Sequence, residues 1–159
     1  MPSDSNAILE RLGPAVLPFE RSNFNREVLP GEDVIFLDYI ISLESGQVPA
    51  NCLRCDSSDP SLLPSDLKYL WVIDQNGLRI IHEMTPNSLA ARGCVCHTNI
   101  TGNRKAFQGG ELWFGKDDTI YVNNQSGRFK AITIAQQQAV LEYFRRLGFS
   151  VIQLPNRPS

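Results

Sequence analysis

Leu67-Lys-Tyr-Leu-Trp-Val-Ile73 and Leu78-Arg-Ile-Ile-His-Glu83 flank the tetrapeptide Asp74-Gln-Asn-Gly77. Two short runs of aliphatic and aromatic residues around Asn-Gly predict a hairpin, because that dipeptide supplies the positive φ angles a tight turn requires. Strand character continues downstream: Cys94–Thr98, Phe107–Phe114 and Thr119–Asn123 are further short strands, each set off by Gly, Asn or Asp. Connections this short exclude parallel crossovers and predict an antiparallel meander.

Beyond the meander the period changes. Thr133 stands three residues before Gln136, the spacing of a capping box. Val140, Tyr143, Phe144 and Leu147 then fall on one helical stripe, while Gln137, Glu142, Arg145 and Arg146 face away. Gly148 is placed to end the helix as a left-handed cap, and Phe149–Leu154 reads as a closing strand. The expected class is therefore α+β: an antiparallel meander with a C-terminal helix packed on one face and a closing strand.

Upstream of the hairpin the signals weaken. Residues 1–31 read as an irregular lead-in, with two helical turns over Asn6–Leu12 stopped by Gly13-Pro14, and with Pro18 and Pro30 beyond. Asp33–Leu43 is a continuous apolar run that periodicity assigns equally to a strand or a short helix. Residues 44–66 are rich in Ser, Pro and Asp and read as a long surface loop. The expected organisation is one domain over 1–159, with residues 67–154 as its core.

With 159 residues, 42% of them hydrophobic, the chain can bury a core, and neither collagen, coiled coil nor wholesale disorder fits. No apolar run is long enough to span a membrane, and Met1-Pro-Ser-Asp-Ser lacks the regions of a signal peptide. A cytoplasmic protein is expected, with no membrane partner. If it leaves the cell, it does so by a non-classical route. The net charge of -2 hides an asymmetry. Residues 1–91 carry six Lys or Arg against thirteen Asp or Glu, and residues 92–159 carry nine against four. Such an asymmetry marks either a basic working surface screened by its own chain or chance clustering; a pI of about 5.7 gives no support to strong non-specific nucleic-acid binding but still permits a small anionic substrate or a short stretch of RNA.

The polar residues with chemical potential concentrate there: His97, Thr98, Asn99, Lys105, Glu111, Ser126 and Arg128. Alternation points His97 with Asn99 and away from Cys94 and Cys96, and puts Phe107, Gly109, Glu111 and Trp113 on one face. Gly109-Gly110 removes side chains where a ligand or another backbone can come close. Such a set suits acid–base work on a phosphate. His97 exchanges a proton near neutral pH, and Arg128 and Lys105 hold the anion. Glu111 orients the imidazole or acts as a second acid–base group, with Thr98, Asn99 and Ser126 bonding the substrate. The expected catalytic set is thus His97, Glu111 and Arg128. The alternative is that Gly102, Gly109, Gly110 and Gly127 serve turns and bulges and that His97 is a capped strand-end histidine.

The stretch from His97 to Phe129, followed by the helix, resembles a loosely defined set of bacterial and plant domains. They share a His-Thr or His-Ser pair, a Gly-Glu strand, and a closing Ser-Gly-[His/Arg]-[Tyr/Phe]. The matching residues are His97-Thr98, Gly110-Glu111 and Ser126-Gly127-Arg128-Phe129. The resemblance covers about a third of the chain and none of residues 1–66. Arg128 stands where many members carry His, so no two-histidine mechanism is implied. The layout is similar to small catalytic domains of bacterial polymorphic toxins, especially metal-independent ribonucleases. It implies an effector- or toxin-type enzyme with RNA or a nucleotide as substrate and an inhibitory protein partner.

Cys52-Leu-Arg-Cys55 and Cys94-Val-Cys96 hold all four cysteines. Two pairs of thiolates suit a structural zinc that pins the 44–66 loop to the sheet; reduced thiols and disulfides are the alternatives. The catalytic reading itself requires no cofactor. Trp71 and Trp113 are expected in the core. Phosphate-binding glycine loops and the nucleophile-elbow motif are missing from the sequence. The expected function is metal-independent RNA cleavage. Processing of a dinucleotide such as NAD is one alternative, and a non-catalytic, zinc-stapled protein-binding module is the other.

Overall fold

Tyr69–Asp74 (β3) and Gly77–His82 (β4) form the expected hairpin, with Gly77 at φ +111° in its turn and the ladder running from Tyr69 opposite His82 to Asp74 opposite Gly77. The computed structural model describes residues 11–13, 15, 35–36, 52–55, 63, 65–74, 77–82, 100, 105–115, 117–124 and 133–154. The remaining elements are Ile35–Phe36 (β1), Arg54–Cys55 (β2), a short 3-10 helix Ser65–Leu67, Gln108–Gly115 (β5), Ile120–Asn123 (β6), the helix Ile134–Arg146 (α1) and Val151–Gln153 (β7). The class is α+β, a mostly antiparallel sheet with one C-terminal helix, as the sequence pattern indicates. No helix among the described residues is long and apolar enough to cross a membrane.

The order within the sheet, β1-β4-β3-β5-β6-β7, departs from a sequential meander. After β4 the chain returns to lay β5 beside β3, with Leu70 opposite Glu111 and Trp71 opposite Gly110. β2 pairs in parallel with the far end of β5, at Phe114 and Gly115, and β6 takes the other edge from Glu111 to Phe114. The position beside Gln108–Leu112 that a strand at Cys94–Thr98 was expected to fill therefore belongs to β3. Cys94–Thr98 itself lies outside the described residues. Two further details differ from expectation. The closing strand pairs with β6 in parallel, and Arg54–Cys55, inside the stretch read as a surface loop, is part of the sheet.

The helix forms and ends as its sequence dictates. The Thr133 side chain accepts the Gln136 N–H at 3.1 Å, and Gln136 Oε1 accepts the Thr133 N–H at 3.0 Å. At the other end Gly148 at φ +94° donates to Arg145 O, and Phe149 donates to Phe144 O, closing a Schellman motif. Val140, Phe144 and Leu147 are buried in the largest core cluster, with Tyr143 packed against it. That cluster takes Tyr69, Trp71 and Ile73 from β3, Leu78 and Ile80 from β4, Leu112 and Phe114 from β5, and Ile120 and Val122 from β6. Leu12 from the lead-in joins them, and Arg11 forms a two-pronged ion pair with Glu142. That pair is exposed, so its contribution is small, although the guanidinium holds the Glu142 carboxyl below its usual range.

The opposite face of the sheet is covered as well. Leu70, Val72 and Ile81 pack with Ile100 and Ala106, while Cys55, Trp113 and Tyr121 pack with Leu63, Leu67 and Leu154. Every residue of β3, β5 and β6 is buried, a pattern of strands sandwiched on both sides. Both tryptophans lie in the core, as expected.

Gly110 explains how β3 and β5 fit together. A Cβ there would lie 2.0 Å from the Asn123 carbonyl oxygen and 2.7 Å from the Trp71 ring. What approaches the glycine is thus the indole of its cross-strand partner, and Trp71 Nε1 donates across the bare backbone to Asn123 O at 3.1 Å. Gly110→Ala forces a backbone carbonyl and a fully buried ring to move. We expect it to lower unfolding free energy by about 3 kcal/mol, the upper part of the overpacking range. Urea denaturation measures this, and wild-type stability in the variant would refute the close-approach account.

Candidate functional site

Glu111 lies near the middle of β5 and points away from the helix, on the side of Trp113, as alternation requires. Phe107, expected on that face, packs instead on the helix side, while Ala106 packs on the face opposite it. A bend at Phe107, just before the strand begins, exchanges the two sides. The Glu111 carboxylate is only 4% exposed and is held at both oxygens. Lys68 Nζ donates to Oε2 at 2.8 Å, and Asn123 Nδ2 donates to Oε1 at 3.1 Å. Asn123 in turn accepts the Glu111 backbone N–H through Oδ1 at 3.0 Å, as its place opposite Glu111 allows.

A second charged pair lies on the same face. Asp74, at the end of β3, pairs with Arg79 on β4, and both side chains are largely withdrawn from water. Arg79 Nη1 also donates to the Ile100 carbonyl at 3.2 Å. Ile100 packs against Leu70, the register partner of Glu111. The two networks thus lie on one surface of the sheet, next to each other across β3.

Of the residues that sequence reasoning selected, Glu111 and Lys105 fall within the described residues. Lys105 is exposed and precedes the start of β5, whereas the ammonium beside Glu111 comes from Lys68. Gln108–Glu111 alone accounts for about 10 Å of strand, so Lys105 and Glu111 do not form one contact pair. His97, Thr98, Asn99, Ser126 and Arg128 lie outside the described residues. Sequence reasoning missed Lys68, Asn123, Asp74 and Arg79. Their signal was present: the run Tyr69–Ile73 is apolar at consecutive positions, which marks a strand buried on both faces and makes any charge along it a buried one.

The Cys52–Cys55 pair is divided between the faces. Cys52 packs in the helix-side core, and Cys55 packs on the other side with Trp113 and Tyr121. A tetrahedral zinc needs its sulfurs about 2.3 Å from one point; Cys52 and Cys55 pack in separate core clusters. Among the described residues no group of three or more His, Cys, Asp or Glu gathers as a metal site. Cys94 and Cys96 lie outside them.

Cys52 has a different set of partners. The Tyr69 hydroxyl accepts the Leu53 N–H at 3.0 Å and is hydrogen-bonded to the Cys52 sulfur. Its ring lies 5.2 Å from that of His82 and 5.4 Å from that of Phe114. Burial raises the Cys52 thiol from 9.0 to about 11 and the Tyr69 phenol from 10.0 to about 12. A thiol so raised is protonated near neutral pH, a packing group and a poor nucleophile.

No protein-family model, curated protein or solved structure matches the chain.

Two expectations follow from this geometry. Removing one member of the buried pair, in Lys68→Met or Glu111→Gln, should cost about 3–5 kcal/mol, whereas the double replacement Lys68→Met/Glu111→Leu should restore much of it. Denaturant titration of the three variants checks this, and equal losses in single and double variants would contradict it. Cys52 and Tyr69 have folded-state values above their unfolded ones, so their contribution is complete below about pH 9 and is lost as pH rises toward 11 and 12. The urea midpoint should fall between pH 8 and pH 10.5, and Cys52→Ala should make that fall shallower. An equally steep fall in the variant would show that Cys52 takes no part.

Proposed function

We propose that this domain acts on a phosphate-containing substrate and that its reaction is metal-independent cleavage of RNA. The observation that supports the reading is the buried Glu111 carboxylate, clamped by Lys68 and Asn123 on a sheet face that also carries Asp74 and Arg79. Buried ion pairs are poor sources of net stability compared with apolar residues of similar volume. Charged groups fixed out of water concentrate instead where chemistry needs a preorganised field.

Ile100 and Asn124 bring the rest of the candidate set into the argument. Ile100 is buried on the Glu111 face, and His97 stands three positions before it in the sequence. Asn124 directly follows the Glu111 partner Asn123, and Ser126 and Arg128 come two and four residues later.

In the proposed reaction the His97 imidazole takes the proton of a ribose 2′-hydroxyl. The freed oxygen attacks the adjacent phosphorus, the bond to the 5′-oxygen breaks, and that oxygen takes a proton from water as it leaves, giving a 2′,3′-cyclic phosphate and a free 5′-hydroxyl, while the resulting hydroxide recovers the proton from the His97 imidazolium. Arg128 and Lys105 neutralise the phosphate, and Thr98, Asn99 and Ser126 bond the substrate. Glu111 takes the orienting role, because both of its oxygens are already engaged. An enzyme of this effector type needs an inhibitory protein partner in the cell that makes it.

Inducible expression in bacteria, wild type beside His97→Ala, tests the reading through growth, total RNA and NAD pools. We expect RNA fragmentation that falls at least about 100-fold in the variant, the scale of a lost acid–base group. Loss of NAD with intact RNA would replace it with dinucleotide processing. Indifference in growth, RNA and NAD alike would leave a non-catalytic protein-binding module.

A further inference from the structure

β7 stands at one end of the sheet, and its pairing shows which backbone groups it offers beyond that end. On the inner side Ser150 O accepts the Ile120 N–H at 2.9 Å, and the Leu154 N–H donates to Val122 O at 2.7 Å. With Ile152 opposite Tyr121, the parallel ladder turns the backbone of residues 150, 152 and 154 toward β6. Val151 and Gln153 therefore point their N–H and C=O groups outward, where no described strand pairs with them. The side chains alternate too. Val151 packs against the helix-side core, and Gln153 Nε2 donates to Gln137 Oε1 at 3.4 Å. Ile152 lies on the opposite face, with Tyr121 and Leu154, and is 46% exposed. Monomeric proteins guard such an edge with a lysine, a proline, a bulge or an inward-pointing charge. Residues 149–154, Phe-Ser-Val-Ile-Gln-Leu, contain neither charge nor proline, and the register runs unbroken from Val151 to Gln153.

We propose that β7 is a pairing edge for a second copy of this chain, joined antiparallel about a two-fold axis at Ile152. The inference is independent of the reaction assigned above. In this arrangement Val151 of each copy stands opposite Gln153 of the other, and each such pair exchanges both of its hydrogen bonds. Ile152 falls between them and meets its own counterpart at the closer spacing of a non-hydrogen-bonded pair, about 4.5 Å between Cα atoms. A two-fold interface needs a patch complementary to itself. The residue on the axis faces an identical one, so it must carry no charge and must gain from contact with its own kind. Exposed Ile152 satisfies both conditions, and the residues on either side of it each present one donor and one acceptor. A contact this short belongs to the weak class of interfaces, so the dimer should come apart on dilution.

Sedimentation equilibrium of the purified full chain over a dilution series tests this. The wild type should pass from monomer to dimer as its concentration rises. Ile152→Lys and Ile152→Glu each set like charges face to face on the axis, and each should weaken association at least about tenfold. An equal mixture of the two variants should associate again, because opposite charges then meet. That recovery is specific to pairing at Ile152, since a dimer formed through another surface would neither lose association in the single variants nor regain it in the mixture. A wild type that stays monomeric throughout, a variant that associates like the wild type, or a mixture that stays monomeric overturns the proposal. Should either variant fail to fold, amide hydrogen exchange decides on the wild type alone. The Val151 and Gln153 amides should be protected in concentrated solution and exchange freely on dilution, and equal rates at both concentrations overturn the proposal.

Discussion

The contact between the Trp71 indole and the bare backbone of Gly110 sets the sheet on which the rest depends. Three strands meet in it: Trp71 stands on β3, Gly110 is its partner on β5, and the indole N–H reaches Asn123 O on β6. From the other side Phe144 of the helix meets the same ring edge-on, with centroids 5.8 Å apart. One side chain thereby fixes two strand registers and the docking of the helix. Because side chains alternate, a slip of one residue in β5 would exchange its faces. Glu111 would then face the helix-side core, where none of the described residues offers an ammonium.

Elements specified by neighbouring residues were legible in the sequence. The Tyr69–Asp74/Gly77–His82 hairpin with Gly77 at positive φ, the Thr133–Gln136 capping box and the Gly148 cap each follow from chemistry within a few positions, and each is found as expected. The order of strands was not, because placing β5 beside β3 is a choice among distant pairings to which turn chemistry contributes nothing. Gly110 marked the close approach, but not that the approaching group would be Trp71. The division of Cys52 and Cys55 was hidden for a related reason. A CxxC in a polar stretch reads as a loop until Arg54–Cys55 is seen to pair with Phe114–Gly115, and strand pairing sends alternate residues to opposite faces.

The candidate site was legible in one residue and illegible in its partners. Glu111 could be chosen from its place in a basic, glycine-rich stretch. Lys68 lies 43 residues earlier, at the entrance to the hairpin, and only the β3–β5 pairing brings it within 2.8 Å of Glu111. Lys105, nearer in sequence, is the cation that proximity suggests and that the fold leaves exposed. Both carboxylate oxygens of Glu111 are engaged, one by the Lys68 ammonium and one by the Asn123 amide. A carboxylate held by an ammonium and an amide keeps its charge and its position, which suits orienting another group better than exchanging protons itself.

The two faces of β5 meet their polar requirements in different ways, and the difference bears on function. On the helix side the buried polar groups are neutral. The Gln108 amide donates to Leu12 O and Gln136 O at 3.1 Å each and accepts from Asn124 at 3.1 Å. Those bonds tie the lead-in, the helix and the sheet together with no ion removed from water. On the opposite face Lys68, Asp74 and Glu111 are buried as charges, and they are the only charged residues among the described buried ones. If structure alone were at issue, amides would have served on both sides at a lower desolvation cost. Segregating the buried charges of the described residues to one face builds a fixed electrostatic field there, while the helix side is left to neutral amides.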